Sequence, residues 1–399
     1  PAGTSHGHQR GLFHGHGHSG TSRGVLTNSA MTSPPPAGVA ASGGLAAGFR
    51  SAAVPASTRT AYAGDWAKFS AWCSQEDHTA LPADPGLVGE YLAQAAALTD
   101  ESGGFAYAPA TLARWLAGIN AVHRAAGHTP PGADPGVAAV LRGIRATRKG
   151  PPRRAKPFRL EHLTTVLAVI ETRAWPAAVI GRRDAALLLL GFAGALRRSE
   201  LAALQLRDVE ITADGELIVR IRSSKTDQDA AGAMIAYPRG GSPVTCPACR
   251  LLDWTTVLGS FLGEGRVGVL RRLHQDRSRG REHTCSRPDL LHIWTELVTG
   301  HPEGAVIRSV TKAATINDRP VSGSTVHGVL VRRLVAAGID PTGYSGHSLR
   351  AGFVTDAYTS GATAHEIMRQ TRHTSPATLE GYARHYAPLE ANAVTRLGL

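Results

Sequence analysis

The sequence predicts a mainly α-helical (α+β) protein, with an N-terminal four-helix bundle and a mostly helical second domain that contains a small antiparallel β-sheet. Three observations predict this class. Apolar residues recur at helical spacing in four successive segments. Large apolar residues occupy every second position from 217 to 221, as in a half-buried strand, and a return strand follows a polar turn. The chain of 399 residues is long enough for two domains with separate cores.

Residues 1–53 form the first segment, which is rich in Gly, Ser, Ala, Pro and His and has few large apolar side chains. Such a segment cannot bury enough surface to offset its ordering entropy, so we expect a disordered low-complexity tail. Its alternating histidines also fit a metal-binding tail, but a solvated segment is the interpretation we adopt.

Residues 54–147 contain four predicted helices, each with an apolar face. The first begins near Thr58, the second opens at Pro85, and the third and fourth contain Trp115 and Leu141. Four helices in this length form a small bundle. Basic residues between the apolar positions are candidate phosphate contacts, with solvated surface charges as the alternative: Arg59, Lys68, Arg114, Arg124, Arg142 and Arg145.

Residues 148–157 form a Pro-rich, cationic linker, through which proline prevents a continuous helix. Its charges suit a segment that crosses a DNA backbone, with Arg153, Arg154 and Lys156 as candidate contacts, although an ordinary domain linker is the alternative. The net charge of +12 and the pI of about 10.1 also argue for a polyanionic partner such as a nucleic acid. A generally basic composition without such a partner is the competing interpretation.

Residues 158–399 form the second predicted domain. Its predicted helices are Leu160 to Ile170, Ala185 to Leu196, Ser324 to Ala337, Leu349 to Tyr358, and Thr363 to Gln370 with a capping box. Its predicted strands are Leu217 to Ile221 and Ala233 to Tyr237, with Lys225 at the turn between them. Ser375 and Pro376 are typical of a helix start, and this last helix would carry Tyr382.

The second domain also holds a set of reactive side chains. Two arginines, two histidines, a lysine and a tyrosine are the groups that a metal-free attack on a phosphodiester requires. The arginines hold the phosphate, the histidines and the lysine move protons, and the tyrosine is the nucleophile. The candidates are Arg197, Lys225, His347, Arg350, His373 and Tyr382.

The order and spacing of these motifs resemble the tyrosine recombinase family, the phage-integrase type of site-specific DNA recombinase. The resemblance spans about residues 54–388. It rests on the Leu-Arg-x-Ser-Glu-Leu pattern at residues 196–201, on the His-x-x-Arg pair at 347–350, and on a tyrosine nine residues after His373. The chain departs from the family at Arg372, where the family usually has Gly, and at Ala195, where it often has Gly.

The resemblance implies that the bundle is a SAM-like core-binding domain and that residues 158–399 are the catalytic domain. It also implies an enzyme that breaks and rejoins DNA through a 3′-phosphotyrosine, without metal, ATP or another cofactor, as a tetramer in a synaptic complex on DNA. A topoisomerase of type IB, or a domesticated DNA-binding protein with an inactive site, are the alternatives.

The resemblance implies a role for each candidate. Arg197 and Arg350 would grip the non-bridging oxygens, His347 would act as acid or base, and His373 would donate to the phosphate. Lys225 would protonate the leaving 5′-oxygen, and Glu200 would orient a neighbouring base or arginine. Tyr386 is the rival nucleophile, and Arg198 is the rival for the first arginine.

The four cysteines do not form a disulfide scaffold, which favours a reduced compartment. Cys246 and Cys249 have metal-ligand spacing, and His283 and Cys285 complete a set of four. A half-site alone is a weak signal, and the resembling family often has Cys-Pro here without zinc, so we expect no metal. The longest apolar run is too short to span a bilayer. We expect an intracellular protein that is located with DNA: in the nucleus of a eukaryote, or in the cytoplasm or nucleoid of a bacterium.

Overall fold

The computed structural model describes residues 53–101, 103–148, 155–222, 232–277 and 282–373, together with 375, 376, 379 and 381. These residues form a mainly α-helical protein with small antiparallel sheets, which confirms the predicted fold class. They fall into two compact units, unit 1 up to residue 148 and unit 2 from residue 155 onward. The predicted disordered tail up to residue 52 lies outside the described residues. Among the described helices, none combines the length and apolar character that a membrane crossing requires.

The described part of unit 1 contains the four predicted helices. They are α1 (Ala56–Gln75), α2 (Pro85–Ala97), α3 (Pro109–Ala125) and α4 (Pro135–Thr147). A proline occupies the first turn of α2, α3 and α4, where its missing N–H costs nothing. Asp84 and Asp134 cap α2 and α4 by accepting hydrogen bonds from backbone N–H groups. The core between the helices is formed by fully buried residues, which include Phe69, Val88, Leu92, Leu112 and Ile119.

Unit 2 packs its other helices and two small sheets around one buried central helix. Its described helices are α5 (Leu160–Val169), α6 (Ala177–Ala193), α7 (Arg198–Ala203), α8 (Pro247–Asp276), α9 (Pro288–Gly300), α10 (Gly323–Ala336), α11 (Ser348–Thr359) and α12 (Ala364–Thr371). Its described strands are β1 (Val209–Ile211), β2 (Leu217–Ile221), β3 (Ala233–Tyr237), β4 (Arg308–Val310) and β5 (Ile316–Pro320).

The three-stranded sheet has the order β1-β2-β3, with both pairs antiparallel. Leu217 lies opposite Tyr237, and Ile221 lies opposite Ala233. Both predicted strands are therefore confirmed at their predicted bounds. The sheet buries Leu217, Val219 and Tyr237 against the core of unit 2, while Arg220 points to solvent. This alternation is the pattern by which the sequence predicted the strand.

The central helix α6 is longer at its N-terminus than predicted, because it starts at Ala177 rather than Ala185. The sequence prediction stopped at three consecutive charged residues, but all three are buried. Asp184 accepts hydrogen bonds from Arg183 at 2.6 Å and from Arg333 of α10 at 2.8 Å. Partners from distant segments compensate these charges, which a local pattern cannot reveal.

Several elements of unit 2 were not predicted. Helices α8 and α9 contain most of the sequence between β3 and β4. Helix α8 is kinked at Gly265, whose φ is 60°. The remaining missed elements are the short helix α7, the three-residue strand β1 and the β4–β5 pair. Short elements such as these carry too few residues for a periodic signal.

The first prediction concerns the buried acid of α6. We expect Asp184→Asn to lower the free energy of unfolding by about 3–5 kcal/mol, because it leaves two buried or half-buried arginines without their anion. Glu303→Gln is the matched control, because it breaks an exposed pair with Arg207 and should cost less than about 1 kcal/mol. Urea unfolding measures both values, and equal costs for the two variants would contradict this account.

Candidate active site

The candidate active site lies where three helix ends of unit 2 meet. The N-terminus of α7 carries Arg197, the N-terminus of α11 carries His347 and Arg350, and the C-terminus of α12 precedes His373. Helix ends leave backbone N–H and C=O groups without intrahelical hydrogen-bond partners. Side chains placed there can hydrogen-bond these backbone groups as well as a ligand.

Arg350 holds this meeting point together. Its side chain is 2% exposed, and it lies in the first turn of α11. One guanidinium nitrogen donates to the backbone carbonyl of Ala195 at 2.7 Å, and another donates to the backbone carbonyl of Thr371. A single side chain therefore joins the turn before Arg197 to the end of α12, and the two hydrogen bonds fix the orientation of its planar fork.

Ala195 has a left-handed backbone conformation, with φ of 46°. This conformation ends α6 at Ala193 rather than at the predicted Leu196. An L-residue pays roughly 1–2 kcal/mol for such a conformation, whereas glycine adopts it freely. The glycine that the resembling family often has here is thus explained by backbone geometry, and the alanine is held by the hydrogen bond from Arg350.

Glu200 binds two arginines and is itself buried, with 3% of its side chain exposed. It accepts hydrogen bonds from the side chain of Arg197 at 2.6 Å and from the backbone N–H of Arg197 at 2.9 Å. Its second oxygen also accepts from Arg372 at 2.7 Å. The carboxylate therefore caps α7 and positions Arg197 at the same time.

Arg372 belongs to this site, although the sequence indicated only an extra charge beside it. Its φ is 58°, which is the left-handed conformation that explains the family's usual glycine at this position. Its guanidinium lies mostly buried against Glu200. The other two guanidinium nitrogens, Nε and Nη1, are buried and have no hydrogen-bond partner within the described part of the chain.

His373 lies among these cations, and its pKa is lowered from the ordinary value of 6.5 to about 3. Burial is the largest cause, followed by the charges of Arg350, Arg197, Arg372 and His347. The imidazole is therefore neutral at pH 7. Its Nδ1 lies 2.9 Å from the hydroxyl oxygen of Thr371.

His347 is the exposed member of the set and stands immediately before α11. Its backbone N–H donates to the hydroxyl of Ser345 at 3.1 Å. Gly352, two residues after Arg350, has a packing role. A Cβ at this position would lie 1.8 Å from the carbonyl oxygen of Phe158. Only a glycine lets the backbone at Phe158 approach α11 this closely, and this contact fixes the position of the N-terminal half of the helix.

The structure thus brings together Arg197, Glu200, His347, Arg350 and His373. Lys225 and Tyr382 lie outside the described residues, and so does the rival Tyr386. Pro376, Leu379 and Gly381 are helical, and Leu379 is buried against Val354 and Ile367.

The candidate DNA contacts are spread over both units. Arg59, Arg142 and Arg145 are exposed on unit 1, as Lys156 is on unit 2, where its ammonium group lies 5.0 Å from the ring centre of Tyr344. Arg114 instead binds the buried carboxylate of Asp65, which neutralises part of its charge. Arg153 and Arg154 lie outside the described residues. The DNA role of these side chains stays a prediction.

A second cluster in unit 2 has the donor atoms that metals prefer. Cys246, Cys249, His283 and Cys285 converge, and the cluster shares no residue with the candidate active site. The sequence alone favoured no metal at this set of residues.

Comparison with known proteins gives two related sequences, while no family model matches the chain. The integrase/recombinase xerD homolog of Selenomonas ruminantium is 29% identical over 343 residues, which cover 85% of this chain and 85% of that protein. The recombinase cre of Escherichia phage P1 is 24% identical over 343 residues, which cover 82% and 84%. A solved XerH site-specific recombinase bound to its difH substrate is 13% identical, with a TM-score of 0.39 and coverage of 79% and 76%.

The second prediction concerns the electrostatics around His373. Arg372→Gln should raise the pKa of His373 above its value of about 3, because it removes one of the positive charges that disfavour the imidazolium. Arg369→Gln is the matched control, since it removes an exposed charge from the same helix. An NMR titration of labelled histidines measures both shifts. Equal shifts in the two variants, or none in Arg372→Gln, would show that Arg372 does not act on His373.

Proposed function

Because the chain is a relative of the integrase and recombinase proteins of the tyrosine recombinase family, we propose that it is a site-specific DNA recombinase. It cleaves and rejoins DNA strands through a 3′-phosphotyrosine intermediate. The observation that carries the proposal is the convergence of Arg197, Arg350 and Arg372 on a neutral histidine, His373, beside a buried carboxylate that binds two of these arginines. Such a concentration of cationic donors suits a phosphodiester.

In the proposed mechanism, Arg197 and Arg350 hold the two non-bridging oxygens of the scissile phosphate. Glu200 supports this role, because it fixes the side chain of Arg197 at 2.6 Å. The backbone carbonyls of Ala195 and Thr371 support it for Arg350 in the same way. Guanidinium groups oriented in advance stabilise the charge that grows on the oxygens without reorganisation during the reaction.

His373 acts as a neutral hydrogen-bond donor to the phosphate in this mechanism. Its low pKa keeps the imidazole uncharged at pH 7. With Nδ1 accepting from the Thr371 hydroxyl, the proton is on Nε2, which then donates to a phosphate oxygen. A neutral donor adds a directed hydrogen bond without adding a further charge to the cationic site.

The bond changes are assigned to three further side chains. The Tyr382 hydroxyl attacks the phosphorus, and His347 accepts its proton. Lys225 protonates the 5′-oxygen that leaves, so the products are a 3′-phosphotyrosine and a 5′-hydroxyl. The reverse steps rejoin a strand. Every proton and every compensating charge comes from a side chain, so the proposal needs no magnesium and no ATP in the chemical step.

The proposal places the enzyme on double-stranded DNA as a homo-oligomer, a tetramer in the complete synaptic complex, in the compartment that holds its DNA. The names of both sequence relatives favour a recombinase over a topoisomerase of type IB. The assembled set of arginines and histidines argues against an inactive DNA-binding protein, since a chain without catalysis has no use for their convergence.

The third prediction tests the nucleophile. Tyr382→Phe should bind DNA but form no covalent adduct with a nicked suicide substrate, because the change removes only the attacking oxygen. Tyr386→Phe is the matched control and should still form the adduct. The assay is denaturing gel electrophoresis in magnesium-free buffer without ATP. An adduct formed by Tyr382→Phe would transfer the role to another residue, and an adduct that depends on magnesium would overturn the metal-free mechanism.

The fourth prediction concerns the cationic linker. Neutralising Arg153, Arg154 and Lys156 together should weaken binding to all DNA sequences alike, because phosphate contacts carry no sequence information. The log–log salt slope should flatten by about 0.9 per lost phosphate contact. Filter binding in a Tyr382→Phe background isolates binding from cleavage. Unchanged affinity and slope would mean that the linker only tethers two domains, and loss of the preferred site alone would mean that these residues contact bases.

A further inference from the structure

Three cysteines and one histidine outside the candidate active site bring their ligand atoms together. One donor atom of each of Cys246, Cys249, His283 and Cys285 lies within 4.8 Å of the others. The Sγ of Cys249 is 3.4 Å from Nδ1 of His283, and the Sγ of Cys285 is 3.8 Å from the same nitrogen. The two sulfurs of Cys246 and Cys285 are 4.0 Å apart. These are the distances between the vertices of a coordination polyhedron rather than those of covalently bonded atoms.

The distances match tetrahedral coordination of zinc. With zinc–sulfur bonds of about 2.3 Å and zinc–nitrogen bonds of about 2.0 Å, two sulfurs lie about 3.8 Å apart and a sulfur and a nitrogen about 3.5 Å apart. The 4.0 Å sulfur–sulfur distance is close to this value and about twice the length of a disulfide bond. Three thiolates and one imidazole are a zinc ligand set, whereas an iron–sulfur cluster usually takes four cysteines.

The sulfurs lie in a buried environment, next to the start of a helix and to a backbone donor. Cys246 is the N-cap of α8, so the first two ligands lie at the positive end of a long helix. The backbone N–H of Thr284 donates to the Sγ of Cys249 at 3.4 Å. All three cysteines of the cluster are at most 2% exposed. A metal there would be shielded from water and held by oriented backbone groups.

A tight turn closes the cluster from the side of the sheet. Gly215, in the turn between β1 and β2, has φ of 81°, and a Cβ there would lie 2.4 Å from the Sγ of Cys285. No side chain fits between this turn and the sulfur. The backbone therefore packs directly on the cluster, which is how an enclosed metal centre without an open coordination position is built.

We propose that Cys246, Cys249, His283 and Cys285 bind one zinc ion at a structural site. The ion ties the start of α8 to the segment that precedes α9, two parts of the chain that are separated by the whole length of α8. All four coordination positions come from the protein, so the site holds structure and does not activate water. This proposal replaces the expectation of no metal that the sequence alone supported.

Metal analysis of the purified full-length protein tests the proposal. Inductively coupled plasma mass spectrometry should find about one zinc per chain in the wild type, and far less in Cys249→Ser and Cys285→Ser. Cys73→Ser is the matched control, because Cys73 is equally buried but lies in unit 1, outside the cluster. His283→Cys should keep the zinc, since it changes one ligand for another. Equal zinc loss in Cys73→Ser would overturn the assignment.

Cobalt substitution gives a test that needs no variant, in case a serine variant fails to fold. The wild type exchanged with Co²⁺ should show thiolate-to-metal charge transfer in the near ultraviolet and intense visible bands of a tetrahedral site. Folded wild type that takes up neither zinc nor cobalt contradicts the proposal, and so does a Cys246–Cys285 disulfide found by mass spectrometry under non-reducing conditions. Iron in place of zinc would also contradict it. None of these readouts depends on strand cleavage.

Discussion

The hydrogen bonds of one buried guanidinium determine the geometry of the candidate active site. A buried charge is costly unless it is fully compensated, and Arg350 is 2% exposed. It is compensated by the backbone carbonyls of Ala195 and Thr371, which belong to segments far apart in the sequence. Folding can bury Arg350 only when these two segments meet, and their meeting places Arg197 and His373 side by side.

The second consequence of this arrangement is electrostatic. Three arginines and His347 act on His373, and one carboxylate, Glu200, binds two of the arginines, so the site carries an excess of positive charge. The low pKa of His373 reflects its burial first and this excess of charge second, since another cation is disfavoured there. An anion that enters the site relieves the repulsion between the arginines. A group with two negative or partially negative oxygens, such as the phosphodiester of the proposed reaction, suits such a site.

Sequence patterns predicted those elements whose signal is local. The start of α2 at Pro85, the bounds of β3, and the capping box between Thr363 and Glu366 all depend on residues a few positions apart, and the structure confirms them. The predicted start of α6 was wrong because the buried charge of Asp184 is compensated by Arg333, which lies far away in the sequence. Charge compensation by a distant residue leaves no periodic pattern in the sequence.

The same limit applies to the two sites. Sequence motifs identified Arg197 and Arg350 as candidates, but the binding of Arg372 to Glu200 depends on a left-handed turn that only the folded chain shows. The Cys-Pro-x-Cys half-site was visible, whereas its completion required α8 to return the chain to its own starting point. Local spacing indicates which residues are reactive, and tertiary structure decides which of them meet.

The central claim is that the arginine and histidine site directs one tyrosine to a DNA phosphate. The most direct measurement traps wild-type protein on a suicide DNA substrate, digests the complex with protease and nuclease, and identifies the linked peptide by mass spectrometry. The account predicts that Tyr382 carries the nucleotide through a 3′-phosphate. A link to any other residue, or a link through a 5′-phosphate, would contradict it.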